Sequence, residues 1–149
     1  MAHIILEFVT NKPRSYQQID QPALCCLRFK KELQMQINRF KGKAKGRNRC
    51  VEHGGIIYAV ATAEGKNIQE QTLRSLKYLD ESLKMAGSDK TRILQGQIFL
   101  ANMNQKADMD VVWNEWIGAD WHNWPQRACV GAPLTSGTLV EIVLTAAKA

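Results

Sequence analysis

The sequence predicts an α+β domain in which a mixed β-sheet carries two helices on one face, in the order β-β-α-β-α-β-β. Three observations predict it. Short apolar runs rich in β-branched residues are bounded by glycine turns, two longer segments show helical periodicity, and the two kinds of segment interleave along the chain. At 149 residues, with 45% hydrophobic and 23% charged residues, the chain has material for one compact domain and its core. The regular pattern begins at Met35, so the expected organisation is an N-terminal extension over residues 1–34 and a folded unit over residues 35–149. Within the first 34 residues, Lys12-Pro13, Gln21-Pro22 and the Cys25-Cys26 pair interrupt any element that starts.

The first strand pair is read at Cys50-Val51-Glu52-His53 and Ile56-Ile57-Tyr58-Ala59-Val60-Ala61, joined by the Gly54-Gly55 turn. Asn67-Ile68-Gln69-Glu70 then has the form of a capping box that starts a helix. Ile68, Thr72, Leu76, Leu79, Leu83 and Ala86 recur at steps of three and four on one stripe of it, and Gly87 supplies the stop. The short apolar segment from Arg92 to Leu100 reads as a mostly buried strand. A second helix places Met109, Val112, Trp113, Trp116 and Ile117 on one face and ends at Gly118; its tryptophans read as core. The last two strands are Arg127-Ala128-Cys129-Val130 and Leu139-Val140-Glu141-Ile142-Val143-Leu144, joined by a loop over residues 131–138.

Composition excludes several classes. No apolar run approaches the 18 residues needed to cross a bilayer, since Glu7 stops Ile4-Ile5-Leu6 and Glu141 interrupts the C-terminal run. A secretory signal is not evident, and the expected location is cytoplasmic. Cys25, Cys26, Cys50 and Cys129 form no C-x-x-C pair and His3, His53 and His122 show no ligand spacing, so neither a disulfide scaffold nor a metal site is expected. The net charge of +6 is uneven: residues 1–49 carry +8 and the remainder −2. The basic run from Arg39 to Arg49 alternates with Gly42, Ala44, Gly46 and Asn48 and, beyond Phe40 at its start, lacks interleaved aromatics on which bases would stack. It reads as a solvated lead-in to the first strand, and the sequence points away from nucleic acid as partner.

Glu141 is the most informative residue, because a carboxylate inside Leu-Val-Glu-Ile-Val-Leu is costly to bury unless paired. Arg127 and Cys129 share one face of their strand. A hairpin centred near Thr135 would bring Cys129 opposite Glu141, so that the three converge. One reading is a structural Arg to Glu pair with Cys129 as core filler. The other gives Arg127 a substrate carboxylate to hold bidentately, Glu141 a water to position or deprotonate, and Cys129 the pocket wall.

Together with Gly54-Gly55-Ile56-Ile57-Tyr58, Gln71-Thr72 leading to Ala86-Gly87-Ser88-Asp89, Ile98-Phe99-Leu100-Ala101-Asn102-Met103 and Met109 to Trp113, the segments Arg127-Ala128-Cys129-Val130 and Val140-Glu141-Ile142 resemble the YjgF family, the Rid reactive-intermediate deaminases. The likeness covers about residues 35–149. It implies a chorismate-mutase-like fold, a homotrimer with three clefts between subunits, and hydrolysis of 2-imino acids or their enamine tautomers to 2-keto acids and ammonia without a cofactor. It also implies that Arg127 grips the substrate carboxylate, Cys129 lines the pocket and Glu141 handles the water, with Ala61 and Asp110 at further substrate-binding positions. Three positions depart from the family pattern: no tyrosine stands near Arg47, Ala61 replaces a glycine, and Asp110 replaces an asparagine. The alternatives are a non-catalytic trimer that binds or senses small carboxylates in the same clefts, and RNA binding or endoribonuclease activity.

Overall fold

The computed structural model describes residues 36–149, so the extension expected over residues 1–34 lies outside the described residues. Six strands form one sheet: β1 (Asn38–Lys41), β2 (Asn48–His53), β3 (Ile56–Ala61), β4 (Ile93–Leu100), β5 (Gln126–Gly131) and β6 (Val140–Ala147). Two helices, α1 (Ile68–Met85) and α2 (Lys106–Ile117), complete the domain. The spatial order is β1-β2-β3-β6-β4-β5; β4 and β5 are parallel and every other neighbouring pair is antiparallel.

The expected hairpin is present, with His53 paired to Ile56. Gly54 (φ 59°) and Gly55 (φ 81°) both occupy the left-handed region that a two-residue turn of this hand requires. The helix start also matches, since Asn67 Oδ1 accepts from the Glu70 amide at 2.9 Å. Glu70 reaches back one residue beyond the cap, accepting from the Lys66 amide at 2.7 Å. The whole predicted stripe of α1 is buried. On α2, Met109, Trp113 and Ile117 are buried, while Val112 and Trp116 pack at its margin. Trp116 donates its indole N–H to Asp80 on α1 at 2.9 Å, which ties the two helices together.

Two sequence expectations are corrected. The basic lead-in is not all solvated: Asn38–Lys41 is a strand whose Phe40 faces inward opposite Cys50, so the order is β-β-β-α-β-α-β-β. At the run's end, Arg49 lies 4.0 Å over the Tyr78 ring and donates to Ser82 Oγ at 2.9 Å, so this cation belongs to the contact between sheet and α1.

The second correction concerns the last two strands, which do not form a hairpin. β4 lies between β5 and β6, paired to both. Because α2 carries the chain over the sheet, β5 returns parallel to β4. β6 alternates buried and half-buried residues along its whole length, which suits a central strand, and it inserts between β3 and β4.

Both helices cover one face, against Ile57, Ala59, Ile98, Leu100, Val140, Ile142, Leu144 and Ala146. The opposite face presents the alternate residues, among them Tyr58, Val60, Phe99, Val130 and Val143, of which Tyr58 and Val130 are exposed. No helix among the described residues is long and apolar enough to cross a membrane.

Candidate functional site

The strand registers place each predicted site residue. Arg127 lies beside Gly96 on β4, and Gly96 pairs on its other side with Leu144, so Arg127 projects on the helix-covered face. Gly96 leaves room there. A Cβ at this position would stand 3.1 Å from Cη2 of Trp113, and its absence lets the indole lie against the sheet. The guanidinium of Arg127 sits 5.2 Å over that indole, a cation–π contact.

One turn before Trp113, Asp110 brings its Oδ1 to 2.8 Å from Arg127 Nη2, with both side chains 22% exposed. One turn earlier again, Lys106 pairs with Asp110 Oδ2. The Arg127 to Asp110 contact is close enough for an ion pair but misaligned for a hydrogen bond. Asp110 Oδ1 and Arg127 Nη1 are both buried without a hydrogen-bond partner among the described residues. Cys129, two residues along from Arg127 and on the same face, completes the cluster. Burial pushes its thiol above the usual range, with the cations of Lys106 and Arg127 opposing and the Asp110 carboxylate adding to the rise. A protonated thiol fits the expected role of pocket wall.

Glu141 is elsewhere. It pairs with Phe99, which pairs with Val130, whereas Cys129 pairs with Ile98 and Ile98 with Ile142. Glu141 and Cys129 therefore lie in adjacent rows that project on opposite faces. The convergence of Arg127, Cys129 and Glu141 within one chain, which assumed a β5–β6 hairpin, is overturned by the intervening β4. Ala61 lies in the row Ala61, Ile142, Ile98, Cys129, on the same face as Cys129 but three strands away, about 14 Å at ordinary strand spacing. It borders a surface cavity lined by Lys43, Arg47, Thr62 and Tyr78. One chain thus presents three separate pieces: the Arg127 cluster, Glu141 on the uncovered face, and Ala61 beside the β1–β2 loop. Sequence reasoning missed Lys106 and Trp113 as members of the cluster, although their spacing of three and four from Asp110 already places them along its side of one helix. Among the described residues no group of three or more His, Cys, Asp or Glu is placed to hold a metal ion.

The family described as "Endoribonuclease L-PSP" matches residues 35–148. The chain belongs to the YjgF/Rid family. Among its curated relatives, a RutC family protein of Haemophilus ducreyi is 38% identical over 99 residues, covering 64% of this chain and 83% of that protein. Protein mmf1, mitochondrial, of Schizosaccharomyces pombe is 32% identical over 149 residues, covering 90% of each. Among solved structures, NMB1025 of Neisseria meningitidis, described as a member of the YjgF protein family, superposes with a TM-score of 0.72 at 34% identity over 78% of this chain and 98% of that one. The YjgF/Rid fold, chorismate-mutase-like, is the mixed six-stranded sheet with two helices described above.

Proposed function

We propose that this YjgF/Rid chain is a hydrolytic deaminase of 2-imino acids and their enamine tautomers, working in clefts between the subunits of a homotrimer. The observation that carries the reading is the state of Arg127. Its guanidinium rests on the Trp113 indole, beside a protonated thiol, with Nη1 buried and lacking a hydrogen-bond partner among the described residues. A buried guanidinium N–H without a partner is a poor structural device and a ready receptor for a carboxylate oxygen.

Assembly is supported by the sheet. Helices cover only one face, and the other presents Tyr58, Val60, Phe99, Val130 and Val143, an apolar surface that gains from being covered. In the proposed assembly Glu141 of one chain meets the Arg127 cluster of another, since a single chain holds the two on opposite faces of its sheet. In the resulting cleft Arg127 holds the carboxylate and Glu141 orients a water on the C=N carbon. Water adds, the C=N electron pair moves to nitrogen, and the tetrahedral carbinolamine expels ammonia to leave the keto acid. The sequence needs no redox group.

The test generates 2-iminopropanoate and 2-iminobutanoate in situ with an amino-acid oxidase and follows keto-acid formation. Acceleration by the unsubstituted chain, lost in Arg127→Ala while the assembly persists, is the expected result. A second reading, a non-catalytic binder of small carboxylates, is favoured by one observation: Asp110 already lies against Arg127. Saturable 2-keto acid binding without any acceleration across several imino acids would establish it in place of the deaminase. The nuclease activity in the family's description has less support here, since Arg49 is engaged within the fold.

A further inference from the structure

We propose that Asp110, held on its far side by Lys106, is a specificity-determining residue that makes the cleft select substrates carrying a cationic nitrogen next to the carboxylate. The inference rests on the carboxylate-clamp reading of Arg127 and names the charge state of what that clamp takes. The substrate is then the N-protonated iminium zwitterion of a 2-imino acid rather than a simple anion.

Two buried atoms of opposite sign lack a hydrogen-bond partner among the described residues. Arg127 Nη1 is a buried donor without a partner and Asp110 Oδ1 is a buried acceptor without one, among the described residues, although the two side chains approach to 2.8 Å. A structural ion pair would align that contact, since an unmade hydrogen bond at a buried polar atom is destabilising. Nor does Asp110 need Arg127 for neutralisation, because Lys106, one turn away on the same helix, pairs with its other oxygen. The misaligned pair is instead complementary to one compact ligand, with a carboxylate for the arginine and, on the adjacent carbon, a positively charged N–H donor for the aspartate.

A 2-keto acid meets the same pair differently. Its carboxylate suits Arg127, but its carbonyl oxygen turns an acceptor toward the Asp110 carboxylate. The aspartate is thus the repulsive element that discriminates against the keto acid. This ordering serves turnover. The iminium is the form most open to water attack at carbon. Overall, C=NH2⁺ plus H2O becomes C=O plus NH4⁺: the water oxygen bonds to carbon, the C–N bond breaks with its electron pair going to nitrogen, and both water protons end on the ammonium that leaves. The cation that Asp110 holds departs, and the remaining anion is disfavoured. Asp110 accepts no proton in this scheme.

Stable probes test it by calorimetric titration of the full-length protein with 2-oxobutanoate and with zwitterionic 2-aminobutanoate. Asp110→Asn is expected to shift the ratio of the two dissociation constants by about tenfold or more toward the keto acid, the scale of a charge-assisted contact. Lys106→Met, which removes the competing cation, is expected to shift it the opposite way. Thermal midpoint and assembly size confirm that each variant is folded. If both variants leave the ratio unchanged while Arg127→Ala abolishes 2-oxobutanoate binding, the role of Asp110 is refuted and the clamp stands. Should Arg127→Ala leave the binding of both probes intact, the clamp itself fails and this inference with it.

Discussion

Replacing Gln71 with leucine probes how the fold holds the entry to β6. Gln71 is buried on α1, and its amide joins three backbone groups: Nε2 donates to the carbonyls of Gly65 at 3.2 Å and Gly137 at 2.8 Å, while Oε1 accepts from the Leu139 amide at 2.8 Å. One side chain therefore pins both the loop before α1 and the turn from which β6, with Glu141, emerges. Leucine keeps most of the volume and makes none of these bonds. At about 1 kcal/mol of net stability for each, with Leu139 N–H and Gly137 C=O left poorly solvated, the loss comes to about 3 kcal/mol. For a folded unit of this size that lowers the thermal midpoint by about 12 °C. Circular dichroism melts and urea titrations at one fixed protein concentration measure it, with Gln69→Leu on the exposed side of α1 as control, expected within about 0.5 kcal/mol of the unsubstituted chain. Hydrogen exchange at the Leu139 amide should accelerate in Gln71→Leu alone. A loss below about 1 kcal/mol, or unchanged exchange at Leu139, would show that the turn is held by something other than this amide.

Three further outcomes are expected. In Gly96→Ala the new methyl meets Trp113 Cη2 at 3.1 Å and Leu144 Cδ2 at 3.5 Å; overpacking should destabilise by about 1–3 kcal/mol and tilt the indole from under Arg127, so that 2-oxobutanoate binding weakens together with the melting temperature. Unchanged affinity in a folded Gly96→Ala protein would separate the clamp from its Trp113 floor. Glu52 is buried, and the Asn38 side-chain hydrogen bond, aided by the Gly55 amide and Lys148 and opposed by burial, holds its carboxyl below the usual value near 4.5. Because the folded-state pKa is depressed, its contribution is complete above the unfolded value and fades as pH falls through the folded one. Glu52→Gln should therefore be less stable than the unsubstituted chain at neutral pH, with the two denaturation curves converging below about pH 4.5; curves that stay parallel into acid would contradict this. Finally, the raised thiol of Cys129 should alkylate slowly with iodoacetamide at neutral pH and speed up as pH rises past 9, read by peptide mass spectrometry; fast labelling at pH 7 would overturn its assignment as an inert wall.

Whatever follows from local pattern was legible in advance. The stripe Ile68 to Ala86, the Asn67 cap and the Gly54-Gly55 turn are decided by residues within a few positions of one another, and each is found where the periodicity and turn chemistry put it. β1 escaped because a four-residue strand with one apolar residue, Phe40, inside a basic run carries almost no periodic signal; it forms because β2 offers an edge and Phe40 packs against the core. The arginine, cysteine and glutamate were identified as residue types in strands, but their mutual placement was not. Adjacency along the chain favoured a β5–β6 hairpin, while the crossover through α2 and the all-along burial of β6 put β4 between them. Local spacing and side-chain type were enough to read the elements other than β1, the family and the chemical character of the candidate residues. Which face each residue shares was set by the strand pairing, so that Asp110, Lys106 and Trp113 surround Arg127 while Glu141 looks out from the other side. Strand pairing is a competition among distant segments, and an intervening strand reassigns every neighbour across the sheet.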